Sequence, residues 1–430
     1  YQPETQIDHS PSDEGLLLNV TYFSLNFPEL TQTFVYNEMR GLKNLAVDVD
    51  VVALRRPASN VSSLPEQYGF SDRIQYVQAD KRRLSRIAAL IRGGIALLAR
   101  ADFRTLWRLA TMRDSEIRLP ISQKLRMAAS LQPGRAPANV IQCHFGPAGR
   151  VVAHLKKLGL IKVPMTTVFH GYDITQYTDG RPEIYRELFE QADLLLPISD
   201  LWRRRLIDLG APPEKITTIR LGVDCNAFDY KLRTIPAGQR TRFITIGRMT
   251  EKKGHRFTIQ AFSQLVSRRP DLDLSLDIVG NGPLFDDMRS LAEASGHSDR
   301  IRFHGGLPHQ EIKRLLDEAH IFVLPSVTAA DGDMEGIPVS IMEAMAMGLP
   351  VISTRHSGIP ELVADGSSGR LVEEKDVPAL SSAMEELASS PDLVGTMGSK
   401  GRMIIEQGYN EQSQARSLKQ ALQQLQTKRI

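Results

Sequence analysis

Residues 335–348 read EGIPVSIMEAMAMG, and they determine more of the fold than any other stretch of the chain. One apolar, strand-like run precedes them at 321–326, and another follows at 348–354. Pro338 indicates where a short apolar helix begins, because proline is favoured in a first helical turn, where its missing N–H would have no partner. The order of strand, loop, helix and strand predicts a parallel sheet that binds its ligand at the carboxyl ends of the strands.

Two acidic residues in this stretch indicate the chemistry of the ligand. Glu335 follows a loop rich in Gly and Asp, and Glu343 lies within the predicted helix. The free N–H groups and the positive dipole end at the start of a helix favour a phosphate. Carboxylates repel phosphate, so we expect both glutamates to accept hydrogen bonds from hydroxyl groups that flank it. A nucleotide sugar, with a diphosphate between a ribose and a hexose, has this arrangement. Without the flanking strands, the spacing of the two glutamates is equally well explained by chance.

This stretch resembles the family 4 retaining glycosyltransferases, in particular bacterial enzymes of the exopolysaccharide and colanic-acid type. The resemblance is strongest over residues 165–375. These enzymes have the GT-B fold, an α/β architecture in which two doubly wound, Rossmann-like domains face a central cleft. The resemblance implies that Glu343 binds the nucleotide ribose and that Glu335 contacts the donor sugar near the reacting centre. It also implies donor contacts for the residues that follow Glu335, namely Gly336, Ile337, Pro338 and Val339.

Strand-like runs alternate with helical segments along the chain, which predicts parallel sheets covered on both faces. Polar residues, prolines and glycines interrupt this pattern at 228–240, where we expect a domain linker. We predict an N-terminal acceptor-binding domain at 1–228 and a C-terminal domain at 229–408 that binds the nucleotide-sugar donor. The family's fold implies that a terminal helix, here 409–430, packs back on the first domain. Strands are predicted at 16–23, 47–54, 139–143, 166–169, 193–198, 216–221, 243–247, 274–280, 301–303, 321–325 and 350–353.

A second informative stretch, GRMTEKKG at 247–254, supplies cations directly after a predicted strand. Arginine offers a planar fork and lysine a compact charge, so Arg248 and Lys253 can grip one diphosphate from two sides. The leaving diphosphate gains negative charge as the glycosidic bond breaks, so these contacts strengthen in the transition state. The stretch resembles the family's Gly-Arg and Lys-Gly motif, which implies the same two residues. Lys252 remains an alternative to Lys253, and a surface turn with solvated charges is the structural alternative.

Glycines end another predicted strand in DIVGNGP, at 277–283. Glycine lets a ligand approach the backbone closely, and the stretch resembles the family's nucleotide-facing loop. We therefore include Gly280 and Asn281 among the donor-binding residues, although an ordinary tight turn explains them equally well. The sequence contains neither the three-glycine dinucleotide fingerprint nor a Walker-type phosphate loop.

A histidine ends a further predicted strand in VFHGYD, at 168–173. This places His170 where the first domain would meet the cleft, and the resemblance implies that it contacts the donor sugar. A structural histidine is the alternative. The predicted catalytic residues are therefore Glu335, His170, Arg248 and Lys253.

Candidates for contacts with the acceptor come from the N-terminal half. The loop at 27–34 resembles the active-site loop of exopolysaccharide-type members, and Thr31 and Thr33 in this loop are candidate hydrogen-bond donors or merely helix caps. Other candidates lie at or near predicted strand ends. The acceptor-side candidates are Thr31, Thr33, His144, Tyr172 and Asp173.

Composition is that of an ordinary globular protein with room for two cores. The chain has 430 residues, of which 42% are apolar and 24% charged. Cys143 and Cys225 are the only cysteines, which argues against a disulfide scaffold and favours a reducing compartment. No signal segment opens the sequence, and no run of about eighteen apolar residues occurs in it. The sequence predicts a cytoplasmic location.

A basic region at 81–127 stands apart from the rest of the chain. It contains twelve Lys or Arg and three Asp or Glu, whereas the net charge of the whole chain is only +3. Apolar residues alternate with the basic ones at helical spacing. One interpretation is a helix on the anionic inner face of the cell membrane, and the other is an amphipathic helix with a solvated basic face. Both remain open. No nucleic-acid motif accompanies the charge, so we do not expect nucleic acid as a partner.

The sequence as a whole favours a glycosyltransferase that moves a sugar from a nucleotide-diphosphate donor to a polysaccharide or a lipid-linked oligosaccharide. The retaining mechanism comes from the resemblance. The histidines and cysteines show no metal-binding pattern, so we predict catalysis without a metal or other cofactor. The alternatives are a nucleotide-sugar epimerase or phosphorylase of the same fold, and a non-catalytic regulator that binds nucleotide sugar.

Overall fold

The computed structural model describes residues 18–29, 32–57, 64–77, 120–131, 139–236 and 238–427. In these ranges the N-terminal half forms a six-stranded parallel sheet with the order β3-β2-β1-β4-β5-β6. The last three of these strands are buried along their whole length, as is typical of parallel strands covered on both faces. The strands are β1 (Asn19–Asn26), β2 (Asp48–Arg55), β3 (Ile74–Tyr76), β4 (Val140–His144), β5 (Met165–Phe169) and β6 (Leu194–Pro197).

The C-terminal half repeats this topology in a second parallel sheet with the order β12-β11-β10-β7-β8-β9. In each sheet the strand order reverses beside the first strand, between β1 and β4 and between β7 and β10. Ligands of doubly wound sheets bind at this switch point, outside the carboxyl ends of the strands. The strands are β7 (Thr241–Ile246), β8 (Leu274–Val279), β9 (Ile301–Gly305), β10 (Ile321–Leu324), β11 (Val351–Thr354) and β12 (Gly369–Val372).

Helices connect the strands and cover the sheets. In the N-terminal half they are α1 (Thr33–Asn44), α2 (Leu64–Gln67), α3 (Ile121–Ser130), α4 (Gly146–Lys157), α5 (Arg186–Gln191) and α6 (Asp200–Asp208). In the C-terminal half they are α7 (His255–Arg268), α8 (Phe285–Ala294), α9 (His309–Glu318), α10 (Val339–Ala346), α11 (Ile359–Leu362), α12 (Val377–Ala388), α13 (Pro391–Gly408) and α14 (Glu411–Thr427).

The last helix, α14, lies against α1 of the first half. Arg40 Nε donates to Glu411 Oε1 at 3.0 Å, and Lys419 Nζ donates to the carbonyl of Leu45 at 2.9 Å. The two helices approach so closely that a Cβ on Gly41 would lie 2.8 Å from the Cβ of Ala415. The last described helix therefore packs against the N-terminal half of the chain.

Apolar packing also joins the two halves. One buried cluster contains side chains of the first sheet together with those of α10 and part of β10. Ile198 and Ile337, which come from different halves, are both almost fully buried. The two halves of the described chain therefore share one buried apolar cluster.

The predicted fold class is confirmed, but some predicted elements are wrong. Residues 216–221 form no strand. Ile216 makes an isolated bridge to Leu195, and the amides of Thr217 and Ile219 donate to carbonyl groups of β6. The sequence also missed β3 and β12, which are short edge strands without a long apolar run. The first sheet ends at Pro197 and the second begins at Thr241, so the domain boundary at 228/229 stays a prediction.

Two other expectations concern membranes. Within the described ranges, no helix combines the length and the apolar character that a membrane span requires. Of the basic region 81–127, only residues 120–127 fall among the described residues. The structure therefore does not test the membrane-surface interpretation.

Candidate active site

A cleft of about 660 Å³ lies between the carboxyl edges of the two sheets and is lined by both halves of the chain. It lies at the two switch points, where strand order predicts a ligand. The first half contributes Thr33, Phe34, Phe145, His170 and Tyr172, and the second contributes Arg248, Lys252, Lys253, Glu335, Gly336, Ile337, Pro338 and Val339, among others.

Three cations converge on one wall of this cleft. Arg248 is exposed, and its guanidinium makes no hydrogen bond or ion pair with any other residue that the structure describes. Lys253 Nζ donates to Glu335 Oε2 at 3.0 Å. Lys252 Nζ lies 2.9 Å from Asp333 Oδ2 and 3.8 Å from Glu335 Oε1. The three side chains form a positive wall in which Arg248 is available to an anionic ligand.

The turn that carries these cations depends on two glycines. Gly254 has a φ of +68°, and a Cβ there would lie 1.9 Å from the carbonyl oxygen of Pro325. Gly280 has a φ of +139°, and its Cβ would lie 2.0 Å from the carbonyl oxygen of Gly247. Gly280 and Asn281 do not line the cleft; the Asn281 carbonyl accepts from the amide of Met249 at 2.9 Å. Gly280 therefore allows the loop after β8 to pack closely against the backbone of Gly247, beside Arg248.

Glu335 is a buried carboxylate at the centre of the cleft, with 7% of its surface exposed. Burial alone would raise its pKa, but Lys253 and Lys252 together lower the pKa below its usual value, so the group is ionised at neutral pH. Its Oε1 is buried and has no hydrogen-bond partner among the described residues. A buried acceptor of this kind calls for a partner, which a bound ligand can supply.

Two residues that the sequence analysis missed fix the backbone of Glu335. The Glu335 amide donates to Nε2 of His356 at 3.1 Å, while Nδ1 of His356 contacts Glu374 Oε1 at 2.6 Å. Ser357, which has a φ of +52°, donates from Oγ to the Glu335 carbonyl at 2.6 Å. His356 closely follows a strand end, the same signal that identified His170, so the sequence did contain the clue.

The helix that follows, α10, begins beside Glu335. Pro338 precedes its first residue, and the carbonyl of Pro338 accepts from the amide of Ile341 at 3.1 Å. The first N–H groups of a helix have no partner within it, and Val339 lines the cleft. Glu343 lies further along the same helix, does not line the cleft, and contacts His309 Nε2 at 3.5 Å. The structure therefore places the two predicted acidic residues in different surroundings.

His170 follows β5 and lines the opposite wall, as the sequence predicted for its position. Its ring centroid lies 4.5 Å from that of Phe34 and 4.6 Å from that of Phe145. His144 lies behind it, buried and outside the cleft lining, with Nδ1 3.0 Å from Nε2 of His170. The two histidines thus form one buried pair of which only His170 reaches the cleft.

The remaining acceptor-side candidates have different positions. Thr33 and Tyr172 line the cleft, and Tyr172 presents an aromatic face with 44% of its surface exposed. Asp173 is fully buried, and its carboxylate accepts from the amides of Gly146, His170 and Gly171 at 2.9, 3.0 and 3.0 Å. Asp173 therefore shapes the loop that follows β5, and Thr31 lies outside the described residues.

Replacing Gly336 by alanine should move Glu335 away from His170. A Cβ on Gly336 would lie 2.2 Å from the carbonyl oxygen of His170 and 2.8 Å from Cδ1 of Ile198. A backbone carbonyl cannot yield cheaply, so the two walls must separate, and misplacement of reacting groups by about 1 Å can cost about 100-fold in rate. We expect turnover to fall at least tenfold. Steady-state kinetics on a folded Gly336→Ala protein checks this.

The matched control is Gly408→Ala, because a Cβ at Gly408 meets nothing within 4 Å. It should retain wild-type turnover. A Gly336→Ala protein that is as active as the Gly408→Ala protein would show that the close approach at Gly336 has no role in activity.

His255 makes stability depend on pH. Burial, with Lys253 nearby, lowers its pKa to about 4, and the ring contacts the Gly247 carbonyl at 3.2 Å through Nε2. The unfolded chain binds a proton near the ordinary value of about 6.5, so stability is full above that pH and falls as the pH drops from about 6.5 to about 4. From pH 7.5 to pH 5, this group should contribute a loss of about 2 kcal/mol.

Chemical denaturation at the two pH values tests this expectation. The variant His255→Gln cannot titrate, so its free energy of unfolding should fall by about 2 kcal/mol less than that of the wild type over the same interval. Equal losses in both proteins would assign the pH dependence to other groups.

No group of three or more His, Cys, Asp or Glu that could hold a metal ion occurs in the part of the chain that the structure describes. The metal-independent mechanism stays a prediction.

The comparisons with known proteins define the class of the protein. A family model described as glycosyl transferases group 1 matches residues 240–390, and a model described as glycosyl transferase 4-like domain matches residues 31–222. These two matches cover both walls of the cleft. The chain belongs to this family of glycosyltransferases.

Two individual relatives are similar to this protein over nearly the whole chain. The chain is 37% identical over 415 residues to WcaL of Salmonella typhimurium, named as a glycosyltransferase of colanic acid biosynthesis; the match covers 94% of this chain and 100% of WcaL. It is 34% identical over 415 residues to the amylovoran biosynthesis glycosyltransferase AmsK of Erwinia amylovora, covering 95% and 100% of the two chains.

A solved structure supports the architecture. HepE of Anabaena in complex with UDP superposes with a TM-score of 0.70 at 16% identity, over 94% of this chain and 99% of HepE. At this identity the likeness shows the fold alone, which is the two-domain GT-B architecture described above.

Proposed function

We propose that this chain is a retaining glycosyltransferase that moves a sugar from a nucleotide-diphosphate donor to a polysaccharide or to a lipid-linked oligosaccharide, without a metal ion. One observation carries the proposal: Arg248, Lys253 and the ionised Glu335 lie around a single cleft, at the start of a helix. The relatives named for colanic acid and amylovoran biosynthesis support an exopolysaccharide as the product.

The donor diphosphate would lie between Arg248, Lys253 and the first N–H groups of α10. As the bond between the anomeric carbon and the phosphate oxygen breaks, the diphosphate takes the electron pair, and the two cations stabilise the growing negative charge. Glu335 would stabilise the positive charge that develops on the sugar, as carboxylates do at oxocarbenium-like centres. Lys253, which pairs with Glu335 in the free protein, would then contact both the diphosphate and the Glu335 carboxylate.

Retention requires that the new bond form on the face that the diphosphate leaves. Among the described residues, Glu335 is the carboxylate at the centre of the cleft. It is paired with Lys253, and this pairing makes it a poor nucleophile. We therefore propose front-face attack, in which the acceptor hydroxyl oxygen bonds to the anomeric carbon and its proton passes to the departing phosphate oxygen. The departing diphosphate thus takes both the electron pair of the broken bond and the proton of the acceptor, so no covalent intermediate with the enzyme is needed.

The proposal is tested in two stages. Thermal stabilisation against uridine, guanosine and adenosine diphosphate sugars should reveal one that raises the melting temperature, because binding stabilises the folded state by mass action. Transfer of that donor's sugar to saccharide acceptors is then followed by NMR, which reads the anomeric configuration of the product, with and without EDTA. Inverted product or loss of activity in EDTA would overturn the retaining or the metal-free part. Conversion of the donor without any acceptor would favour an epimerase.

A membrane contact through residues 81–127 is a separate part of the proposal. A lipid-linked acceptor would make such a contact useful at the inner face of a membrane, and the region carries a strong positive charge. Sedimentation with vesicles should show binding to anionic but not to neutral lipid. Equal recovery with both, or with neither, would contradict it.

A further inference from the structure

A buried chain of hydrogen bonds leads from α1 to the wall of the cleft. Glu38 Oε1 lies 3.1 Å from Nε2 of His144, and His144 Nδ1 lies 3.0 Å from Nε2 of His170. All three side chains are largely shielded from solvent, with 13% of the Glu38 side chain and 3% of the His144 side chain exposed. The sequence identified the two histidines as candidate site residues but not the glutamate that contacts His144.

The surroundings of Glu38 show in which direction the protons point. Thr166 Oγ1 donates to Gln142 Oε1 at 2.9 Å, so the Gln142 amide nitrogen faces Glu38 and donates to its Oε1. The hydroxyl of Tyr22 donates to the same oxygen at 2.7 Å. An oxygen that already accepts from these two donors can only accept from His144 as well. His144 therefore carries a proton on Nε2.

This arrangement fixes the neighbouring ring. When Nε2 carries the only proton of the His144 ring, Nδ1 has a lone pair and accepts from His170 Nε2. His170 then has its proton on Nε2 and a lone pair on Nδ1. That Nδ1 is buried and has no partner among the described residues. Burial lowers the pKa of His170 well below its usual value, so the lone pair stays unprotonated.

The rings on either side hold His170 in place. Phe34 and Phe145 both contact it, and Phe145 has a φ of +71°, a region that bulky residues rarely occupy. Backbone strain of this kind persists where the surroundings over-determine it, often at functional sites. The buried acceptor His170 Nδ1 is thus held between two aromatic rings at the edge of a cleft that, under the proposed function, receives a sugar.

We propose that Glu38, acting through His144, is a positioning residue that keeps His170 protonated at Nε2, so that His170 Nδ1 accepts a hydrogen bond from a hydroxyl of the bound sugar. The inference of a sugar rests on the proposed function, whereas the tautomer does not. A buried acceptor without a partner is costly to the free protein, and a saccharide hydroxyl supplies the donor that it lacks. Had His144 been doubly protonated, its Nε2 would still donate to Glu38, but its Nδ1 would donate to His170 Nε2, and His170 would carry its proton on Nδ1.

Nitrogen-15 NMR of the histidine side chains in the free, full-length protein tests the tautomer directly. Signals are assigned with His144→Asn and His170→Asn. In the wild type and in Glu38→Gln, whose amide oxygen can still accept, His170 should show a protonated Nε2 and an unprotonated Nδ1. In Glu38→Leu the two tautomers should mix. A wild-type His170 protonated at Nδ1 would overturn the proposal.

Kinetics on the same variants separate positioning from stability. With the nucleotide sugar that the stabilisation panel identifies, Glu38→Leu should lower kcat about tenfold with a smaller change in KM. Glu38→Gln should retain most of the wild-type kcat. Tyr22→Phe is the matched control, since it removes another hydrogen bond to the same oxygen but keeps the ring that stacks on His144. It should change neither the tautomer of His170 nor kcat. A Glu38→Leu protein with wild-type kcat overturns the proposal. Failure of every nucleotide sugar to bind would instead overturn the proposed function, while the NMR result would still decide the tautomer.

Discussion

Replacing Glu335 by glutamine should lower kcat by about 100- to 1,000-fold, the usual cost of removing one preorganised charge-stabilising group from an active site. Glutamine preserves the shape and the backbone contacts to His356 and Ser357 but removes the negative charge. Because that charge acts on the sugar as it becomes positive, the loss should appear in kcat more than in KM. Steady-state kinetics on the folded variant measures both.

The control for this variant is Glu373→Gln, which removes a carboxylate from the same half of the chain. The Glu373 side chain is 74% exposed and does not line the cleft. It should have wild-type kinetics. If the Glu335→Gln protein is folded and turns over at the same rate as this control, Glu335 does not stabilise the transition state.

Replacing Lys253 by methionine should lower kcat/KM by about 100- to 1,000-fold. Methionine keeps most of the length of the side chain but can neither bind the diphosphate nor neutralise Glu335, whose Oε2 lies 3.0 Å from Lys253 Nζ. Lys253 is the cation that most lowers the pKa of Glu335. Its loss should therefore raise that pKa, so that Glu335 loses its charge at a higher pH and the acid limb of the pH–rate profile moves upward.

An exposed lysine, Lys400, provides the comparison for Lys253. Lys400→Met removes one positive charge from α13, outside the cleft, and should change neither kcat/KM nor the pH profile. A Lys253→Met protein with a lower rate but an unshifted acid limb would mean that Lys253 binds the donor without controlling Glu335. Wild-type kcat/KM would exclude both roles.

The sequence predicted the two-sheet architecture and the residues that meet in the cleft because both follow from local patterns. Apolar runs predicted most of the strands, and residues at strand ends meet at the same edge of a parallel sheet. This is why Lys253 and Glu335, which are 82 positions apart, could be placed together before their hydrogen bond was seen. The resemblance to the family supplied the roles.

What the sequence did not predict depends on partners distant in the chain. Glu38 lies in an amphipathic helix and looks like an ordinary surface glutamate until β4 and β5 bring His144 and His170 beside it. Asp173 looked like a cleft residue, yet three backbone amides use its carboxylate. Glu343 lies in the short helix that follows Glu335, but the direction of its side chain is set by the turn of that helix and its contact with His309.

Calorimetric titration of uridine, guanosine and adenosine diphosphates into the wild type and into the double variant Arg248→Met/Lys253→Met tests most directly whether the cleft holds a diphosphate. Each charge-assisted hydrogen bond contributes about 1.5–3 kcal/mol, so the loss of two cations should weaken binding at least 100-fold. We expect one nucleotide to bind the wild type and to lose at least this much affinity in the folded double variant. Equal affinity for the two proteins, or no binding of any nucleotide to the wild type, would contradict the assignment of the cleft as a nucleotide-sugar site.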